Sequence, residues 1–202
     1  MNSKAQSGKS GSSDGSGRTQ AANPLDIIAH EHMWQEKLCD ALERIADDLP
    51  DNVDRTLVSA VLPMLRDDLI VHIRDEDEGL LPLLQKRTLP DDNFDQILMV
   101  LSLEHAADEG FADEIVDHLE DLSHSQRPDN PDMLGYMLRG FFETQRRHVA
   151  WENAVVMPLA YARLTQDDLR ELSRVMLDNR KDKRLRTVRS EFSLFAFQTR
   201  SD

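Results

Sequence analysis

The sequence predicts an all-α protein, an antiparallel four-helix bundle with a short extra helix at its carboxyl end. Three observations lead there. Apolar residues recur every three or four positions along four long segments. The breaks between these segments are short and carry Pro, Asn, Asp or Ser. The composition of the 202 residues, 40% hydrophobic and 31% charged with 8 Gly and 8 Pro, suits one helical domain around one core.

Residues 1–23 are rich in Ser and Gly and too poor in apolar side chains to offset the entropy of ordering, so they are expected to be disordered. The first helix is expected over 24–49, with Leu25, Ile28, Cys39, Leu42, Ala46 and Leu49 on one face, Asn23 as N-cap and Pro24 at its first position. A turn at 49–52 follows. The second helix is expected over 54–86, carrying Leu62, Leu65, Leu69, Leu80 and Leu83, with Pro63 and Pro82 bending or loosening it. The third spans 91–123 on Phe94, Leu98, Leu101, Ala112, Ile115 and Leu119, and residues 125–131 break it. The fourth spans 131–162 on Leu134, Leu138, Phe141, Val155 and Leu159. A short fifth helix over 166–179 starts from Thr165. After Arg180 the chain turns basic and then apolar, and is read as a covering segment or a contact for a protein partner. The expected division is therefore a tail at 1–23, the bundle at 24–164, and a helix with its tail at 165–202.

A formal net charge of -14 argues against nucleic-acid binding, which requires a basic surface, and is compatible with attracting cations. No apolar run approaches the roughly 20 residues that cross a bilayer, so no membrane contact is expected. The polar amino terminus lacks the apolar stretch of a secretory signal, which makes the cytoplasm the expected location. Cys39, the single cysteine, reads as a small core residue.

Polar residues interrupt each of the four long stripes. His32 stands four residues after Ile28, and the Leu65 and Leu69 stripe runs into His72 and Glu76. Leu98 and Leu101 lead to His105, and Leu138 and Phe141 lead to His148 and Glu152. The interruptions also repeat. Glu31-His32 and the later His72-x-x-x-Glu76 match Glu104-His105 and the later His148-x-x-x-Glu152, as though a helix pair were used twice. HIRDEDEGLLPL and HVAWENAVVMPL both place Glu four, Pro ten and Leu eleven residues after the histidine. At 1.5 Å per helical residue, all four histidines fall about 26 to 30 Å below their turns, at one level.

Unpaired, these buried imidazoles and carboxylates would carry a desolvation cost of several kcal/mol each. A mixed nitrogen and oxygen set suits first-row metals, and helix-borne Glu and His are how bundles hold two metals bridged by carboxylates. Glu76 and Glu152, related by the repeat, are the natural bridges. His30, His118 and His124 fall off the stripes and read as surface residues, and Trp34 and Trp151 as packing.

Over about 24–162 the chain resembles the hemerythrin-like (HHE cation-binding) domains. The resemblance rests on Glu31-His32, His72-x-x-x-Glu76, Glu104-His105 and His148-x-x-x-Glu152, in family order and spacing. It implies a non-heme centre of two Fe ions with an oxo or hydroxo bridge, held by His32, His72, Glu76, His105, His148 and Glu152. Mn or Zn in the same place is not excluded by these residues. It also implies a protein that binds or senses a small diatomic molecule, O2 or NO, or iron itself. The chain departs from the oxygen carriers at Glu109, where they have a second histidine, and at Glu36, the matching place after His32. These two carboxylates read as ligands, as hydrogen-bond acceptors for the imidazoles, or as solvated residues; as ligands they would favour ferric iron. Two other classes of function stand beside binding and sensing. One is a diiron oxidoreductase that detoxifies oxygen, peroxide or nitric oxide, for which no catalytic residue beyond the ligands stands out. The other is a metal-free structural bundle.

Overall fold

The computed structural model describes residues 23–124 and 127–181; the tail expected up to residue 22 and the basic and apolar segment after Lys181 lie outside the described residues. Among those described there is no strand, and five helices account for the regular structure apart from one short turn.

Helix α1 is Pro24–Asp48, and the side chain of Asn23 accepts a hydrogen bond from the Leu25 N–H at its start. Helix α2 runs continuously over 55–85, and Asp54 accepts from the Thr56 and Leu57 N–H groups. Helix α3 is Phe94–His124. It starts later than the apolar pattern implies, because Pro90–Asp92 forms a separate 3₁₀ turn and Asn93 adopts a left-handed conformation with φ 49°. Helix α4 runs over 131–163, with Asn130 accepting from the Met133 N–H. Helix α5 is Gln166–Asn179 and opens on a capping box, in which Thr165 and Asp168 each accept from the other's backbone N–H.

These helices form a bundle. Helix α1 packs on α2 and α4, α3 packs on α2 and α4, and α5 lies against α1 and α2. The apolar interior is divided in two. One cluster gathers Leu38, Leu42, Leu65, Leu69, Ile115, Leu119 and Phe141, with Cys39 as a buried small residue. The other gathers Leu25, Ile28, Leu80, Leu84, Leu101 and Met157. The residues that separate the two clusters along α1, α2, α3 and α4 are polar, and they carry the site.

Three wide turns interrupt the helical ladder. Leu69, Leu81 and Met157 donate their N–H groups to Met64, Glu76 and Glu152, five residues back instead of four. Each wide turn accommodates one extra residue and rotates the next stretch of helix by roughly 100°. This corrects the predicted stripe of α4: Val155 and Leu159 are half-buried, while Val156 and Ala160 are buried in their place. It also explains the repeated prolines. A proline ring crowds the carbonyl four residues before it and donates no hydrogen bond. Pro82 and Pro158 each follow a wide turn, where the regular ladder is already broken.

Candidate metal centre

Each of the four long helices contributes one histidine to the polar layer, and the turn of regular helix from His72 to Glu76 and from His148 to Glu152 brings each glutamate beside its own histidine. All six side chains are buried. His32 Nε2 lies 3.5 Å from Glu76 and 3.3 Å from Glu152. His72 Nε2 lies 3.5 Å from Glu76. His105 Nε2 lies 3.3 Å from Glu76 and 3.8 Å from Glu152, and His148 Nε2 lies 3.2 Å from Glu152. The Nε2 atoms of His105 and His148 approach to 3.2 Å. Two groups of ligand-type atoms result, His32, His72, Glu76, Glu152 and Glu76, His105, His148, Glu152, each with its atoms within 4.8 Å of one another. The two carboxylates are common to both groups.

The outer nitrogens of the imidazoles fix which face points inward. Nδ1 of His72 donates to Glu31 at 3.1 Å, and Nδ1 of His148 donates to Glu104 at 2.9 Å. Nδ1 of His105 donates to Asp77 at 2.8 Å, and Nδ1 of His32 donates to Asn153 Oδ1 at 2.8 Å. With the proton on Nδ1, each neutral ring presents a bare Nε2 lone pair to the interior. Carboxylate lone pairs face the same space, and Nε2 of His32 and His72 and all four oxygens of Glu76 and Glu152 have no hydrogen-bond partner. Lone pairs converging at this distance repel unless protons or cations stand between them. The donor set is therefore fitted to cations, and its nitrogen and oxygen composition suits first-row metals.

Without a cation, protons take that role. Burial disfavours a charged imidazole at His32, yet Glu152 and Glu76 outweigh it and raise the ring to about 10. Burial is likewise outweighed at His105, where Asp77, Glu152 and Glu76 push it up to about 12, and at His148, where Glu152 and Glu104 bring it to about 9. Burial raises and the imidazoles lower Glu152; the imidazoles win, and its carboxyl sits well below the usual range.

Behind the imidazoles stands a further layer of polar side chains, to which the apolar stripes assign no role. Glu31, Asp77, Glu104 and Asn153 each follow or precede a ligand-type residue directly, and the repeat already pairs Glu31 with Glu104 and Asp77 with Asn153. Adjacency to the predicted ligands was the available signal. Glu36 and Glu109 are placed otherwise. Glu36 is exposed, Glu109 is half-buried, and neither belongs to either group. The interior is followed instead by the three-residue step, to Gln35 and Asp108, both buried. Gln145 on α4 donates to Gln35 at 2.7 Å, while burial raises the Asp108 carboxyl to about 6. His30 and His124 are exposed and His118 half-buried, and none of them belongs to either group.

The family profile described as hemerythrin HHE cation binding domain matches residues 23–160. Searches among curated proteins and among solved structures returned no match. The profile covers well over half of the chain and reaches from the N-cap of α1 to the last turns of α4, so it contains every residue of the polar layer. The chain belongs to the hemerythrin HHE cation-binding domain family.

Proposed function

We propose that the protein holds a pair of iron ions through His32, His72, His105 and His148, with Glu76 and Glu152 shared between them, and that it binds or senses dioxygen, nitric oxide or iron. The observation that carries this reading is the convergence of bare imidazole and carboxylate atoms, two imidazoles on each side of two common carboxylates. A single cation would leave one pair of imidazoles unanswered. Two ions of a redox-active metal supply, when bound, a place where a small diatomic molecule is held and a change of oxidation state that registers it. The chain's own part is to orient the rings through Glu31, Asp77, Glu104 and Asn153, and to keep bulk water out with the two apolar clusters.

The reading takes the four long helices as the antiparallel bundle of this family, spanning residues 24–164, with α5 as an appendage. The short connections at 49–54 and 86–93 support that arrangement. Metal content per chain and the optical spectrum of aerobically purified protein test it. Close to two irons, with the charge-transfer absorption of a ferric pair, are expected, both lost in His72→Ala and His148→Ala. One ion per chain, manganese or zinc in place of iron, or no metal at all would overturn the assignment.

A further inference from the structure

The two halves of the polar layer are alike inside and unlike outside. Glu31, behind His72, is shut in: its side chain is 10% exposed and Arg180 donates to it at 2.7 Å. Arg180 also pairs with Asp75, which accepts from Asn179 at 3.0 Å, so the end of α5 is tied across this side. The body of α5 closes it further. A Cβ at Gly79 would stand 2.7 Å from Leu172 Cδ1, so any larger residue there would push the leucine aside.

The corresponding residue of the other half, Glu104, makes the same bond to His148, yet its side chain is 42% exposed. It stands in a groove of about 620 Å³ between α3 and α4. Ile97 from α3 and Thr144, Arg147 and Trp151 from α4 form its walls, and His148 itself lines it. Arg147 is the cation there, donating to Thr144 at 3.3 Å.

We infer that this groove is the entrance by which cations reach the centre, and that Glu104 receives them before they pass to His148. The inference rests on the metal-binding reading above. A hydrated cation sheds water in exchange for carboxylate oxygen, and Glu104 and Asp77 are both acidic groups between solvent and a ligand-type imidazole, of which Glu104 is the one that lines the groove.

Anaerobic addition of ferrous iron to the metal-free, full-length protein tests this, with protein-bound iron assayed after rapid desalting at successive times. Thr144→Trp, which fills the groove, and Glu104→Gln are each expected to slow uptake at least fivefold. Arg147→Ala, an exposed change that spares the fold and removes a repelling charge, is expected to speed it at least twofold. Leu172→Ala, which loosens α5 over Gly79, is expected to leave the rate within twofold. Wild-type rates in the Glu104 and Arg147 variants, or an uptake that Leu172→Ala accelerates and Thr144→Trp does not slow, would overturn the entrance while leaving the metal assignment intact. A wild-type protein that takes up no iron would sink both.

Discussion

Each imidazole of the centre is held at two atoms, by an acceptor on Nδ1 and by the convergence at Nε2, and the acceptor always comes from another helix. Ring orientation is thus set by residues that stand outside the two groups of ligand-type atoms. Glu31→Gln and Asn153→Ala are each expected to weaken iron affinity about 10- to 100-fold, measured by competition with a chelator, whereas Glu36→Ala and Glu109→Ala should leave it unchanged. An affinity lost on removing Glu36 or Glu109 would show that the outward placement of these carboxylates is not the one that matters. The four histidines and two glutamates were legible because each breaks an apolar stripe and the breaks repeat. Their supports were not, because Glu31 serves His72 on α2 while Asn153, on α4, serves His32 on α1; only the crossing of helices reveals who orients whom. Gln35 and Gln145 went unread for a related reason, since a glutamine in a stripe carries no sign of its partner. Gln145→Leu, which strands the amide of Gln35, is expected to cost about 1 to 3 kcal/mol, and the double change with Gln35→Leu less than the single one, as read by denaturant titration.

At the scale of elements, periodicity located the five helices, and cap chemistry located the starts of α1 at Asn23 and α5 at Thr165, because both signals are local. It could not locate the wide turns, which insert a residue without any change in composition and are visible only as a shift of the buried stripe from Val155 and Leu159 to Val156 and Ala160. Deleting Ala154 removes the one extra residue that the wide turn accommodates, so a regular turn should form with Val156 and Ala160 still in the core. A thermal stability close to the parent's is the expected result; a variant that loses its cooperative melt would show that the wide turn itself is needed to seat Val156 and Ala160. Helix α5 offers an independent test in its capping box. Thr165→Ala is expected to cost about 1 kcal/mol. The Asp168 carboxyl, hydrogen-bonded by Arg87 and Thr165, is held down at about 2 against an ordinary 3.8. A depressed carboxyl stabilises the folded state fully above its ordinary value and loses that contribution as the pH falls through the lowered one. The docking of α5 should therefore weaken between about pH 4 and pH 2, and Asp168→Asn should flatten that dependence in an acid titration followed by helical signal.

For the molecule as a whole, the polar layer divides the apolar interior, so a cation there joins the two clusters. Iron at 100 times its dissociation constant is expected to add about 2.7 kcal/mol of stability, which for a chain of this size raises the melting temperature by roughly 5 to 10 °C. Chelation should reverse the gain; a melting curve indifferent to iron would mean that the layer holds none in the folded state. Among the described residues no helix is long and apolar enough to cross a membrane. The composition foretold one helical molecule, but the closure of one flank by Arg180 and the openness of the other were beyond it, because both depend on which side of the bundle α5 lies. The support of His32 by Asn153 reaches across 121 positions of the chain. During synthesis, the earliest of the four histidines to leave the ribosome waits for one of the last residues of the domain before its ring is fixed. A nascent or truncated chain ending before Glu152 lacks Asn153 as well, so it has neither the full set of ligand-type residues nor the brace for the first of them. On the proposed function, the complete donor set is assembled only when the domain is all but finished, and a product that ends earlier is expected to hold metal more weakly.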